Sequence, residues 1–295
     1  VGLTLVQQRT VTDLIGTGRA PPVSEGLARQ VRDGLDRRLA ALGLDRPGPT
    51  VRLGKGRLAA LDRCPGSFAA AMAGERAPFE LTSRMAAGRL FHKAIEVDVI
   101  VERREDPRSV CERAARDLGE DREFERFWAE LDGFDRAELL AEAGRRLSRF
   151  RDSFPPLSRR WAPQPELAMR ASLAGGRVVL SGAPDLVLGR RHRLVLDLKA
   201  FGAWPEYAED LRFYALLLLL RTGVPPYRVA TVFLESGTWQ AEDVDETVLR
   251  HAADRVLRAA LAAVDPEPLP SDLRPGRHCA WCPRRDRCPV SAVVA

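Results

Sequence analysis

The chain of 295 residues has no apolar run long enough to cross a bilayer. Its longest runs, such as Tyr214–Leu220, fall far short of the roughly 20 residues a spanning helix needs. Nothing near Val1 reads as a charged segment followed by an apolar core, so neither secretion nor membrane insertion is expected. Cysteine is scarce and odd in number: five, three of them crowded near the C-terminus, which does not fit a disulfide framework. A reduced, cytoplasmic chain is the expectation. No G-x-x-x-x-G-K-[ST] run is present, so the chain carries no nucleotide-driven motor of its own. Internal repeats and long low-complexity stretches are also missing. Lysine is nearly so: Lys55, Lys93 and Lys199 stand against 43 arginines. With Ala and Gly abundant, this points to GC-rich coding in which arginine is the default cation. A lysine is then a signal in itself, because lysine can deprotonate and arginine does not.

What is present is an ordinary globular mix, 45% apolar and 29% charged, with ample chain for a buried core. A net charge of +5 fits a polyanionic partner without requiring one. Five arginines against two aspartates between Asp272 and Arg287 make the C-terminal end locally basic.

Periodicity predicts an amphipathic helix over Ser24 to Leu44 with Ser24 as N-cap, ended by the Asp45-Arg46-Pro47-Gly48-Pro49 punctuation. That boundary divides the chain into an N-terminal helical extension of unassigned role, 1–50, and a main domain, 51–295. Helical patterns follow near Leu58–Ala73, Met85–Val101, Pro107–Leu118 and Asp135–Arg151. The period then changes. Glu166–Leu173, Arg177–Leu188 and Leu194–Ala200 read as strands separated by Ala174-Gly175-Gly176 and by Gly189–Arg193. A helix over Pro205–Thr222, a strand over Arg228–Glu235, a Ser236-Gly237 turn, a weak strand near Gln240 and a helix over Glu246–Val264 complete the pattern. The fold class is α/β (α+β): a helical N-terminal half, then a sheet flanked by helices.

Folding the hairpins locates the chemistry. A turn centred on Arg191 places Asp185 opposite Asp197. Lys199, two residues on, points to the same sheet face as Asp197. A turn centred on Gly175 puts Glu166 opposite Pro184, near the same spot. Two or three carboxylates and one lysine thus converge. Such a patch suits a hard divalent cation such as Mg²⁺, which neutralises a phosphodiester and acidifies a bound water while the lysine steadies the hydroxide. The same residues also describe a solvated edge with an ordinary ion pair, although here the charges interrupt the apolar run Val195-Leu196-Asp197-Leu198-Lys199-Ala200.

Pro184-Asp185, followed by Asp197-Leu198-Lys199, resembles the signature of the PD-(D/E)XK nucleases. The wider Gly182-Ala183-Pro184-Asp185 and Leu196-Asp197-Leu198-Lys199 blocks are similar to the RecB/AddB-like branch. That branch carries a Gly-x-x-x-His element on a helix before the sheet, matched by Gly88-Arg89-Leu90-Phe91-His92, and the resemblance implies that His92 is a metal ligand. Glu96, one turn further, shares its helix face. Relatives also place Gln-x-x-x-Tyr on the helix after the lysine strand. Here Asp210-Leu211-Arg212-Phe213-Tyr214 keeps the tyrosine and replaces the glutamine by aspartate. Tyr214 reads equally as a core aromatic.

Cys279-x₂-Cys282-x₅-Cys288, with a remote Cys64 in Asp62-Arg63-Cys64-Pro65, supplies four thiolates, enough for a [4Fe–4S] cluster. The arrangement is similar to that of the iron–sulfur members of the branch, AddB and the exonucleases of CRISPR adaptation. Zn²⁺ is the alternative, although its ligands usually come as two short pairs. Sulfur spacing separates the two: roughly 3.8 Å around a tetrahedral zinc, roughly 6–7 Å around a cubane. Cys111, inside a charged helix, has no partner in this scheme.

The resemblance implies a restriction-endonuclease-like core and a metal-dependent DNA nuclease, an exonuclease of DNA repair, recombination or CRISPR-type defence. Asp185, Asp197, the Leu198 carbonyl and His92 would hold Mg²⁺ or Mn²⁺. Lys199 would position water, Tyr214 would join the catalytic group, and C-terminal arginines such as Arg284 and Arg285 would track the phosphate backbone of single-stranded or duplex DNA. A helicase or CRISPR adaptation subunit is the expected protein partner. The alternative is a non-catalytic nucleic-acid-binding subunit of a helicase–nuclease complex that keeps fold and cluster, although such subunits normally lose a ligand or the lysine.

Overall fold

Eight strands build two sheets in the computed structural model, which describes residues 2–16, 24, 26–100, 105–199 and 206–291. They are β1 (Val51–Leu53), β2 (Gln164–Pro165), β3 (Met169–Leu173), β4 (Val178–Gly182), β5 (Leu186–Leu188), β6 (Leu194–Lys199), β7 (Arg228–Phe233) and β8 (Thr238–Asp243). One sheet has the order β1-β4-β3 and the other β2-β5-β6-β7-β8. β6 and β7 run parallel, joined through the Glu206–Thr222 helix, while β5/β6 and β7/β8 are antiparallel. The ends expected at Val101, Ala200 and Pro205 lie outside the described residues.

The expected strand Arg177–Leu188 is in fact two strands. It breaks at Ala183-Pro184-Asp185, where Pro184 offers no N–H to a ladder, and the chain passes from one sheet to the other. The expected strand Glu166–Leu173 breaks beside it: Glu166 has φ 45, and β3 starts only at Met169. The two breaks touch, since the Glu166 N–H donates to the Asp185 carbonyl at 3.1 Å.

The β5/β6 register, Leu186↔Leu196 and Val187↔Val195, is the one a turn centred on Arg191 requires. One step further, Asp185 meets Asp197. The first hairpin differs by one residue from expectation. Its pairs Leu173↔Val178 and Met169↔Gly182 follow from a left-handed run at Ala174, Gly175 and Gly176, and they put Glu166 opposite Asp185, not Pro184.

Alternation along β6 sends its two faces into different cores. Leu194, Leu196 and Leu198 pack with Phe91, Ala94 and Leu147 of the Ser83–Ile100 and Gly133–Ser153 helices. Val195 packs with Leu211 and Tyr214 of the Glu206–Thr222 helix, so Asp197 and Lys199 face that side. Leu27, Val31, Leu35 and Leu39 of the Leu27–Ala41 helix belong to the second core, which ties residues before Val51 into the packed interior. That helix starts after Gly26 at φ 79, and Ser24 does not cap it; the Ser24 hydroxyl binds Glu246 instead. The helix expected over Leu58–Ala73 is two, Lys55–Arg63 and Pro65–Met72. Cys64 between them is extended (φ −162°, ψ 129°), as the residue before a proline prefers. The described residues include no helix long and apolar enough to cross a membrane.

Candidate active site and cysteine cavity

Where the two strand breaks meet, β5 has ended, and at Leu198 the β6 backbone has no partner strand on that side while β7 continues on the other. The Leu198 N–H is taken up by the Asp185 carboxylate, at 2.6 Å from Oδ2. N–H and C=O of one strand residue point to the same side, so the Leu198 carbonyl is also directed toward Asp185. The other Asp185 oxygen lies 3.5 Å from Nδ1 of His92, which reaches over from the Ser83–Ile100 helix. Ligand atoms of His92, Glu166 and Asp185 all lie within 4.8 Å of one another.

Asp197 is only 2% exposed, and Nζ of Lys199 stands 2.7 Å from its Oδ2. The ammonium sits beside that oxygen and not in line with it, since Oδ2 accepts no aligned hydrogen bond among the described residues. Burial pushes the Asp185 carboxyl above its ordinary range, with Asp197 adding to the effect and His92 and Lys199 opposing it. Glu166 is reached by solvent, yet the protein surrounds it on enough sides that burial, then Asp185 and Glu96, push it up to about 7. Crowded carboxylates held above their ordinary range, an orphaned buried oxygen and one imidazole are the donor set of a divalent cation with a preference for oxygen ligands.

Tyr214, expected in the catalytic group, is 1% exposed and donates its hydroxyl to the Ala183 carbonyl at 2.7 Å. It holds the Pro184-Asp185 turn from behind. Asp210, one turn before it, is pushed up to about 6 by burial, against the pull of Lys55 and Arg255. Arg255, itself 3% exposed, binds Asp62 at 2.7 Å and approaches Asp210 at 3.8 Å. Glu96 is paired with Lys93 at 3.0 Å on the rim. Sequence reasoning left the roles of Glu166 and Asp210 open and did not single out Lys55 as part of this cleft.

A family model described as the PD-(D/E)XK nuclease superfamily matches residues 53–289. The chain belongs to that superfamily. Its fold is the restriction-endonuclease-like PD-(D/E)XK fold, and the superfamily is one of metal-dependent nucleases. No curated protein matches the chain at a significant level. Among solved structures, SSO0001 aligns over 70% of this chain and 97% of its own at 13% identity, with a TM-score of 0.32, a similarity too slight to inform function. In the PD-(D/E)XK signature of this chain, Pro184 makes the strand break, Asp185 and Asp197 meet across it, and Lys199 follows on the same face.

The cysteines lie elsewhere on this PD-(D/E)XK domain. Cys64, Cys279, Cys282 and Cys288 line one cavity of ≈ 480 Å³, and none is in a disulfide. The Arg274 N–H donates to Cys64 Sγ at 3.5 Å, and Ser67 Oγ lies 3.9 Å from Cys282 Sγ. No three of the thiols come within 4.8 Å of one another.

The basic C-terminal end is not uniformly open to a phosphate. Arg284 does not face solvent as a phosphate contact. Its guanidinium is paired with Glu75 at 2.8 Å and Glu267 at 2.9 Å, and Arg287 also binds Glu75. Arg277 and Arg285 are exposed and make no ion pair among the described residues. Arg285→Ala should therefore lower the slope of log DNA affinity against log salt by about 0.7–0.9. Arg284→Ala should instead lower Tm and leave that slope in place. Titrations at several salt concentrations, alongside melting curves, check both.

Proposed function

We propose that the chain is a Mg²⁺- or Mn²⁺-dependent DNA nuclease of the RecB/AddB-like branch, an exonuclease acting on single-stranded or duplex ends. The observation that carries this reading is the convergence of Glu166, Asp185 and His92 beside the buried Asp197–Lys199 pair. Asp185, Asp197, the Leu198 carbonyl, His92 and Glu166 would hold the cation. When bound, it supplies positive charge to the phosphodiester and lowers the pKa of a water. Asp197 fixes the Lys199 ammonium, which donates to the attacking oxygen and holds it in line with the phosphorus. Leu198 N–H fixes the Asp185 carboxylate, and Tyr214 braces the turn behind it. The P–O3′ bond breaks, as in this superfamily.

We further propose that Cys64, Cys279, Cys282 and Cys288 hold a [4Fe–4S] cluster that fastens the C-terminal tail to the segment before the Pro65–Met72 helix. The nuclease domain is taken as 51–295, with 1–50 as an extension packed onto it, in a cytoplasmic protein of DNA repair, recombination or CRISPR-type defence. A helicase or an adaptation subunit would present the DNA.

Incubation of anaerobically purified protein with end-labelled single- and double-stranded DNA tests the activity. Cleavage with Mg²⁺ or Mn²⁺, and none in EDTA, is expected. Binding without cleavage under all conditions would support the non-catalytic subunit instead. The pH dependence is specific. A carboxylate must be deprotonated to ligate, so cation affinity should fall as pH drops through about 7, where Glu166 takes up its proton. Glu166→Gln should flatten that part of the profile, as measured by Mn²⁺ titration between pH 8 and 6.

A further inference from the structure

All three lysines of this arginine-rich chain gather at one cleft. Lys199 is paired with Asp197 at 2.7 Å, and Lys93 with Glu96 at 3.0 Å. Lys55, the first residue of the Lys55–Arg63 helix, differs from both. It is half-buried, and among the described residues no carboxylate lies within 4.0 Å of its Nζ and it donates no side-chain hydrogen bond. Its Nζ stands over the ring of Tyr214, 5.5 Å from the centroid.

That ring fixes where the ammonium stands. The Tyr214 hydroxyl is tied to the Ala183 carbonyl, and its ring edge occupies the space a Cβ on Gly182 would need, at 2.8 Å. Lys55 therefore stands over the back of the turn that carries Pro184 and Asp185. It is near enough to Glu166 and Asp210 to favour their charged forms, yet closes on neither. A half-buried ammonium on which no carboxylate closes keeps its charge available to an anion entering the cleft. A cleft that receives a polyanion supplies the acceptor. The residue type fits as well, because an arginine fork here would engage the neighbouring carboxylates in bidentate fashion, whereas a lysine is a compact point charge on a flexible stem.

We propose that Lys55 binds a backbone phosphate of the nucleic-acid substrate next to the scissile one, and so sets the position of the strand in the cleft. The inference rests on the nuclease reading and deepens it.

The test uses the full chain carrying Asp185→Asn, so that DNA is bound and not cut, with single-stranded DNA titrated over a range of salt in EDTA. Adding Lys55→Ala should lower the slope of log affinity against log salt by about 0.7, one phosphate's worth, and weaken binding several-fold at low salt. Lys55→Gln, which keeps the packing of the stem, should behave as Lys55→Ala. With Asp185 intact, Lys55→Ala should raise KM about tenfold and change kcat less than threefold. An unchanged slope in both neutral variants would overturn the inference and leave Lys55 as a charge balancer for Glu166 and Asp210, while wild-type cleavage would still stand. If the parent binds no DNA and the wild type cuts none, the nuclease reading falls and takes this one with it.

Discussion

Asp185→Asn should remove at least 10³-fold of the metal-dependent cleavage while the melting temperature stays level or rises. An asparagine keeps an oxygen to accept the Leu198 N–H, so the local fold retains its bond. It deletes a negative charge that burial and Asp197 make costly in the metal-free protein. Loss of activity with no loss of stability separates a site residue from a structural one. Cleavage by Asp185→Asn at the wild-type rate would refute the site. Lys199→Ala should also be inactive, but not silent in stability. Among the described residues it strips the one close cation from Asp197, which is 2% exposed, at a cost of about 3 kcal/mol. Asp185→Asn is therefore the cleaner variant.

The second large effect lies at Cys64. Anaerobically purified wild type should be brown and contain about four irons per chain. Cys64→Ser should lose most of the visible absorption, and its tail from Glu267 onward should be cut by protease much sooner. Colourless wild type without iron would refute the cluster. The control is Cys111→Ala. Cys111 is wholly buried, with its thiol pushed up to about 12 by burial, so a serine there would bury a hydroxyl at roughly 1–3 kcal/mol and confound the comparison.

The register that brings Asp185 and Asp197 together was readable from the sequence because the Gly189–Arg193 turn and the strict alternation of β6 leave one pairing that buries the leucines. The sheet switch was not, because apolar residues continue on both sides of Pro184 and periodicity does not record a change of partner strand. Glu166 was placed one residue off for a related reason: three successive left-handed residues from Ala174 add length to the turn, and only Gly175 and Gly176 advertise it. The helix Arg122–Glu130, capped by Asp121, and the three-residue β1 were too short to give a period. Lys55 carried one legible signal, its rarity, but its nearness to Tyr214 depends on contacts far apart in sequence. Charge density misdirected the reading of Arg284, since its partners Glu75 and Glu267 lie outside the basic stretch.

Glu75, bound by Arg284 and Arg287, gives the tail a fastening independent of any metal. These pairs are at least partly open to water, so they weaken as ionic strength rises. Thiolate ligation does not weaken with salt in this way, but it yields to oxidants. On the proposed cluster reading the tail would thus be held by two kinds of bond that fail under different conditions, charge at high salt and sulfur ligation under oxidation.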